Sequence, residues 1–469
     1  MSRVILGGGI TGLSSAYYLS KNLPSQPTIL VEASDRLGGW IKSDIVNDKL
    51  IFEQSARTLR PGGPNGINTL SMIEDLGISD QILPITIRHP ATRNRMIYSN
   101  GRLHSLPSSI SSMFTTQPPF SKPLIRYLMQ DLVAVKKTVK DESIYNFVNR
   151  RFGTEFADYL ISPLVSGICA GDAKEISVRF LMKTLFEYEQ EHGSISKGII
   201  RNVFTKSNKS ELQGLSLKAK KEKWQIYSFK KGLETLPKAM SDYIKKRQVN
   251  ILLNSRCNQL EFLHDGVLLH FGNGQSLKTS HVVSSIPSES LGSILRGQHP
   301  VLANLLSDIK SVTVGVVNLC YKGNIIKNPG FGFLIPPKEN LPILGVIYDS
   351  CSFPRSDDTV LTVMMGGWWF TDLFGKNPHE DVLLQTAREQ VGNILGILEK
   401  PTHSKVKILK NCIPQYVVGH SEKIDKVQIY ISEHKLPLSI CGASYFGVGV
   451  NDVIMSAKNA VNNLLSTSH

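Results

Sequence analysis

The chain has 469 residues, 41% of them hydrophobic, and a formal net charge of +14; that is enough to bury a sizeable core, spread over roughly two to four domains. The charge bears on partners and solubility rather than on fold, so nucleic acid, anionic membrane and acidic small molecules stay open. Six cysteines stand far apart without a C-x-x-C pair, which spells out neither a zinc site nor a redox pair and predicts buried free thiols; the roughly 18 uninterrupted apolar residues of a membrane span are also lacking, residues 361–370 being broken by Gly366 and Gly367.

The first predicted strand, Val4, Ile5 and Leu6, runs into Gly7-Gly8-Gly9-Ile10-Thr11-Gly12, after which Leu13, Ala16 and Tyr17 recur at helical spacing. Because the strand begins at Arg3, no secretory signal or cleavable presequence is expected in front of it, and any organelle address should be internal. In this strand, turn and helix, Gly7 permits the tight turn, Gly9 lets backbone approach a pyrophosphate, and Gly12 lets helix and strand pack closely. A second apolar strand, Thr28–Val31, ends in Glu32, 20 residues after Gly12, where a carboxylate can accept both ribose hydroxyls. The next stretch, Arg36-Leu37-Gly38-Gly39-Trp40, adds a glycine doublet that resembles the flavin amine oxidase superfamily and favours FAD over NAD.

Further along, Leu124, Leu128 and Leu132 carry a helical pattern, and Ser143, Phe147, Arg151 and Gly153 form another block. Residues 201–223 hold seven Lys/Arg against two acids, interleaved with Val203, Phe204, Leu212, Leu215 and Leu217. This stretch reads either as a contact for anionic lipid or as a basic solvated loop; a nucleic-acid-reading motif is absent. Residues 281–285 predict a strand, and residues 312–319 and 361–365 predict a sheet over the cofactor. At the carboxyl end a strand at 436–441 leads into Gly442-Ala443-Ser444-Tyr445-Phe446-Gly447-Val448-Gly449-Val450, and Val453, Ala457, Ala460 and Leu464 mark one helix face. Such a return either places a helix amino terminus near the flavin pyrimidine, favouring negative charge on the reduced ring, or merely caps the domain.

The expected fold class is α/β: a discontinuous Rossmann-like FAD-binding domain (1–89, 208–285 and 433–469), a helical membrane-associating domain (90–207) and a mixed-sheet substrate domain (286–432), of the p-hydroxybenzoate hydroxylase or amine oxidase type. Neither an internal repeat nor a low-complexity tract interrupts it.

Longer blocks carry a more specific likeness. They are Arg57-Thr58-Leu59-Arg60-Pro61, His89-Pro90 with Asn94-Arg95, Pro118-Pro119-Phe120-Ser121-Lys122-Pro123, Asn411-Cys412-Ile413-Pro414-Gln415-Tyr416, and the run from Gly442 through Val450-Asn451-Asp452. With them the chain resembles, nearly end to end, the oxygen-dependent protoporphyrinogen oxidases of the mitochondrial, animal-like type. The resemblance implies oxidation of protoporphyrinogen IX with oxygen as acceptor and hydrogen peroxide as by-product, in the penultimate step of haem synthesis. Flavin N5 takes hydride from the macrocycle, so neither a catalytic side chain nor a metal is expected.

By the same resemblance the cofactor residues are Gly7, Gly8, Gly9, Ile10, Thr11, Gly12, Glu32, Arg36, Gly39, Trp40, Ser55, Ala56, Arg57, Thr58, Cys257, Ala443, Val448, Gly449 and Val450. Arg57 either tunes flavin charge or orients its loop, and Cys257 addresses the adenine through its backbone. Cys441 lies before the glycine turn rather than at a linkage position, so FAD is expected to be noncovalent. Arg95 is the expected propionate partner; Phe331, Leu334, Met364 and Ile413 line the macrocycle slot, and Gly167 either admits backbone to it or marks a simple turn. His420 reads as a structural histidine. The resemblance further implies a peripheral protein of the mitochondrial inner membrane, on the intermembrane-space side, a homodimer, and contact with the next haem-pathway enzyme. Another oxidase of the superfamily, acting on coproporphyrinogen or an amine, and a nonenzymatic binding protein like the Rab GDP-dissociation inhibitors are the alternatives. Two departures from the pattern are Lys231-Gly232, where paired glycines are usual, and Trp368-Trp369, where one tryptophan is.

Overall fold

In the computed structural model, which describes residues 2–47, 49–107, 109, 111–205 and 212–466, the strand Arg3–Leu6 lies at the centre of a five-stranded sheet. Thr28–Val31 and then Asn250–Leu252 flank it on one side, His281–Ser284 and then Leu438–Ile440 on the other, and every pairing is parallel. A parallel sheet needs cover on both faces, and alternating side chains provide for it. Ile5, Leu30 and Val283 enter a core with Leu13, Ala16, Ile454 and Val461 of helices Ile10–Asn22 and Val450–Ser466. Val4, Leu6, Val31 and Val282 enter a second core with Leu260, Leu269, Leu295 and Leu306. The central strand is followed in space by its own helix-linked partner on one side and by a strand from mid-chain on the other. That reversal of strand order opens a crevice at the carboxyl ends of the strands.

A seven-stranded sheet stands beside this module, in the order His403–Pro414, Ser311–Tyr321, Thr359–Gly367, Gly345–Tyr348, Gly332–Leu334, Arg95–Ser99 and Arg102–Ser105. It is antiparallel except where Arg95–Ser99 runs parallel to Gly332–Leu334. The expected boundaries at 90 and 286 therefore need correction. Residues 95–105 belong to this sheet rather than to the helices, because their partner strand lies far away in sequence and local periodicity carries no trace of it. Helices Ser288–Leu295 and Pro300–Ser307 bury Leu291, Leu295, Leu302 and Leu306 in the second core of the flavin-side module, so they precede the sheet domain in space as well as in sequence.

Between these strands the chain builds a helical insertion around Phe147, Phe152, Val165, Val178 and Phe186. Helix Ile144–Phe152 starts on the Ser143 hydroxyl, which accepts from Asn146 N, and stops at Gly153, whose φ of 89° ends it. Arg151 on this helix is fully buried, its charge met by Asp131 and by Glu189 at 2.8 Å, with Asp131 O and Gly193 O taking its remaining donors. Among the described residues no helix is long and apolar enough to cross a membrane, all six cysteines are free, and no group of His, Cys, Asp and Glu could hold a metal ion. Both departures are absorbed locally. Gly232 (φ 85°) suffices to close the turn onto Phe229 O. Trp368 N donates to Ala170 O, and Trp369 packs against the cluster of Ala170, Val314, Val316, Leu344 and Leu409.

Candidate cofactor and substrate site

The turn after the first strand has a geometry suited to a phosphate cradle. Gly7 has φ 98°, and a Cβ on Gly12 would lie 1.8 Å from Gly7 O, so the close packing of helix on strand requires glycine there. Gly9 is different. Its φ of −69° suits any residue, and a Cβ would meet only Gly39 Cα at 3.7 Å, an ordinary contact. Neither backbone nor packing asks for glycine at 9, so the demand points outward, to a group lying against the turn. Helix Ile10–Asn22 carries no side-chain cap among the described residues, which leaves amide donors of its first turn to such a group.

Glu32 closes the cradle on its other side. Its Oε2 accepts from Gly8 N at 2.6 Å, and its Oε1 from Ser34 N and Oγ at 2.8 and 2.7 Å; a carboxylate with about four lone-pair sites keeps capacity for ribose hydroxyls. Ser255 N donates to Glu32 O, bringing the start of strand Cys257–Leu263 to the same end. The Cys257 thiol is pushed up to about 11 by burial, which leaves it unreactive. Gly38 N donates to Gly8 O at 2.8 Å, so the glycine doublet packs on the phosphate turn. Arg36 is turned back on this loop: Nη1 donates to Leu37 O at 3.0 Å and Nη2 to Gly39 O. Trp40 O accepts from Ser55 Oγ at 2.7 Å, which ties the doublet to the segment 55–58.

The carboxyl-terminal turn reaches the same place. A Cβ on Gly442 would lie 3.2 Å from Thr11 Cγ2, so the two glycine turns touch. Val448 and Val450 are partly buried, the first against the helical core and the second against the core under the phosphate turn. At the start of helix Val450–Ser466, Asp452 Oδ2 accepts from Gly449 N at 3.3 Å and Oδ1 from Asn65 Nδ2 at 2.8 Å. The helix amino terminus therefore already carries one carboxylate, which offsets part of its positive field. Cys441 is buried beneath the first helix beside Ser15, and burial raises it to about 12.

The partner of Arg57 is Asp349. The arginine is buried and donates to Asp349 Oδ1 and Oδ2 at 3.0 and 3.3 Å, to Ser55 O at 3.3 Å and toward Met364 Sδ at 3.9 Å. Asp349 also accepts from Thr362 Oγ1 at 2.6 Å. The guanidinium thus fastens loop 55–58 to the large sheet, with its charge already paired. Neither Asp349 nor its neighbours form a motif, so sequence reasoning missed it.

Behind this pair lies Glu53, whose carboxylate accepts from Ser43 Oγ and Leu233 N. Burial raises Glu53 to about 7, against the hydrogen bonds and the charges of Arg57 and Arg355. Between about pH 4.5 and 7 the folded chain keeps a proton that the unfolded chain has lost, so stability falls as pH rises through that window. Thermal melts of the parent and of Glu53→Gln are expected to converge near pH 5 and to separate by pH 8 in favour of the variant. Parallel pH profiles would remove Glu53 as the source.

The expected substrate residues gather only in part. Leu334, Gly345 and Met364 face one another on three adjacent strands, and Met364 and Ile413 share a cluster with Val316, Leu344 and Trp369. Gly167 lies inside helix Ser162–Cys169 rather than at a turn, and a Cβ there would come 2.7 Å from Leu334 Cδ2. Its missing side chain makes room for Leu334. Phe331 packs elsewhere, with Ile85, Ala91, Ile226 and Phe353. Arg95, exposed to solvent, opens the strand next to Gly332; desolvation of the guanidinium, and then the charge of Arg60, lower its pKa. No carboxylate pairs with Arg95 among the described residues. His420 is buried, its Nε2 3.4 Å from Tyr445 O and its ring against Phe180 and Tyr416, and burial holds it down at about 4. A neutral, enclosed imidazole of this kind is a packing group.

Residues 10–465 match the family of flavin-containing amine oxidoreductases. The chain is 38% identical to the protoporphyrinogen oxidase of Bos taurus, covering 99% of this chain and 98% of that one. It is 37% identical to the protoporphyrinogen oxidase of Homo sapiens, with the same coverage. A solved structure from Exiguobacterium sp. 255-15 superposes with a TM-score of 0.81 at 21% identity, covering 99% of each chain, which speaks for the fold.

Proposed function

The chain belongs to the protoporphyrinogen oxidases, within the flavin-containing amine oxidoreductase family, and from that premise we propose that it oxidises protoporphyrinogen IX to protoporphyrin IX, with oxygen as acceptor and hydrogen peroxide as by-product. The near full-length likeness to the mammalian enzymes carries this reading. The cofactor is FAD, which when bound would supply two-electron oxidation, used in three rounds, each regenerated by one oxygen, to remove the six electrons that separate porphyrinogen from porphyrin.

In this reading the protein binds, orients and excludes water. Gly7 through Gly12 and Glu32 take the pyrophosphate and ribose; segment 55–58 and the turn from Ala443 to Val450 take the ring, held without a covalent bond because Cys441 is enclosed under the first helix. Leu334 and Met364 on either side of Gly345, and Ile413 in the same cluster as Met364, offer apolar surface to a macrocycle. Arg95, with its charge unpaired by carboxylate among the described residues, takes a propionate. Arg95→Ala is expected to raise KM for protoporphyrinogen by about tenfold, the worth of one charge-assisted contact, while the protein keeps its FAD. Loss of flavin from the variant would show that Arg95 serves the cofactor instead.

The function itself is tested by the rise of porphyrin fluorescence in air, comparing protoporphyrinogen with coproporphyrinogen. No rise with the former sinks the assignment; a faster rise with the latter moves it to the coproporphyrinogen-oxidising relatives. An intact phosphate turn speaks against a nonenzymatic binding role, for which flavin would be dispensable.

We further propose that the protein rests on the mitochondrial inner membrane from the intermembrane-space side. Support comes from Met129, Leu132 and Val133 on helix Leu124–Val133, from Val135 after it, and from Ile199 and Ile200 on the adjoining helix Ile195–Thr205, all exposed, with Arg126, Lys136 and Lys137 nearby. Apolar side chains rimmed by cations suit anionic lipid. In the basic stretch 201–223, residues 206–211 lie outside the described residues. Flotation with anionic vesicles tests the placement, which fails if the protein stays with neutral and anionic vesicles equally little. A homodimer and contact with the enzyme that receives protoporphyrin complete the proposal.

A further inference from the structure

Tyr416 follows the last strand of the large sheet, yet its phenol works on the far carboxyl terminus. It donates to Ala443 O and accepts from Gly447 N at 3.0 Å, so one hydroxyl bridges both ends of the turn between strand Leu438–Ile440 and helix Val450–Ser466. The ring is 3% exposed. Its centroid lies 3.9 Å from that of Phe180 and 4.3 Å from that of His420. Tyr416 O accepts from Ser177 N at 2.8 Å, Ile176 bridges to Val417, and Val418 N donates to Glu175 O. Three parts of the molecule meet at this one side chain: the helical insertion, the large sheet and the carboxyl-terminal turn.

A turn held only by its own backbone would keep several conformations open, for Gly442, Gly447 and Gly449 all loosen it. Gly447 has φ 130° and Gly442 φ 104°, conformations other residues rarely adopt. Ser456 Oγ holds Gly442 N and Asp452 holds Gly449 N at the two ends, and between them the phenol restrains Ala443 and Gly447. Burial also raises the Tyr416 hydroxyl well above its usual range, so it stays a neutral donor and acceptor at every physiological pH. Resting on the reading that this turn faces the flavin, we propose that Tyr416 is a positioning residue: it presents the backbone amides of the turn to the flavin and couples their pose to the helical insertion over the substrate.

The test is Tyr416→Phe in the purified holoenzyme, which removes the hydroxyl and keeps the ring. FAD release, followed by the fluorescence of freed flavin, is expected to become about tenfold faster, as for an unsatisfied buried polar group. If the turn favours the reduced, more negative flavin by a like factor, the two-electron potential measured by dye equilibration falls by about 30 mV, tenfold converted for a two-electron couple. Phe180→Leu, which leaves the hydroxyl but loosens the ring, should shift both readouts in the same direction by less, and decides the matter if the first variant fails to fold. Release rate and potential equal to the parent's in whichever variant folds would overturn the proposal and leave Tyr416 a packing residue. Both readouts need no porphyrinogen. If they move while the parent fails to oxidise protoporphyrinogen, the positioning role stands and only the substrate assignment falls.

Discussion

Gly9→Ala is expected to fold like the parent and to purify nearly colourless. The added methyl has room in the protein itself, with Gly39 Cα at 3.7 Å and a φ that alanine adopts freely. What it would occupy is the approach of a pyrophosphate to the helix amino terminus. Pushing the phosphates outward weakens several amide contacts at once, and a loss of FAD affinity of roughly hundredfold, about 2.7 kcal/mol, is expected. Gly12→Ala provides the contrast. Its methyl would meet Gly7 O at 1.8 Å, so helix and strand must part, and both the apoprotein's melting temperature and its flavin fall together. Flavin absorbance per protein and the melt of the FAD-free form separate the two cases. A Gly9→Ala protein that keeps its full colour would show that the phosphates run elsewhere.

Asp349→Ala is expected to cost about 3–5 kcal/mol of stability, because it leaves the Arg57 charge buried without a partner. The pair spans the two halves of the molecule: Arg57 sits on loop 55–58 of the flavin-side module, and Asp349 opens the short helix Asp349–Ser352 that follows strand Gly345–Tyr348 of the large sheet. Side-chain exposure is 7% for Arg57 and 11% for Asp349, so water can do little to replace the lost partner. The double variant Arg57→Met with Asp349→Ala should recover much of the loss, since an apolar pair avoids the stranded charge. Denaturant unfolding of the two single variants and the double variant completes the cycle. Additive losses would mean that Arg57 and Asp349 act independently of each other and that Arg57 is held by Ser55 O instead. The Asp349→Ala holoenzyme should also lose activity beyond its loss of folded fraction, because loop 55–58, which we propose takes the flavin ring, is no longer fixed to the large sheet.

These two cases divide what could be read in the residues from what could not. Strand, glycine turn and helix at 3–22, the carboxylate at 32 and the doublet at 38–39 are local: each glycine is explained within a few residues of itself, so spacing alone carries the chemistry. The carboxyl-terminal turn was legible for the same reason, but not its contact with Thr11, nor the carboxylate of Asp452 in its helix amino terminus. The longer blocks identified the oxidase, but spacing carried no sign that Phe331 packs with Ile85, Ala91, Ile226 and Phe353. Of the two readings of Gly167, a simple turn or a gap that admits backbone, the turn does not fit, because Gly167 lies in a helix against Leu334.

Alone, the sequence determined a dinucleotide site, its preference for FAD, and the family. Only the tertiary structure decided that residues 95–105 complete the large sheet, that Arg57 is neutralised by Asp349, and that Tyr416 reaches Ala443 and Gly447. The physical reason is range. Backbone geometry and helical spacing act over a few residues and leave a pattern in sequence, whereas strand pairing, charge burial and a bridging hydroxyl join residues tens to hundreds of positions apart. Their partners are chosen by where the whole chain folds.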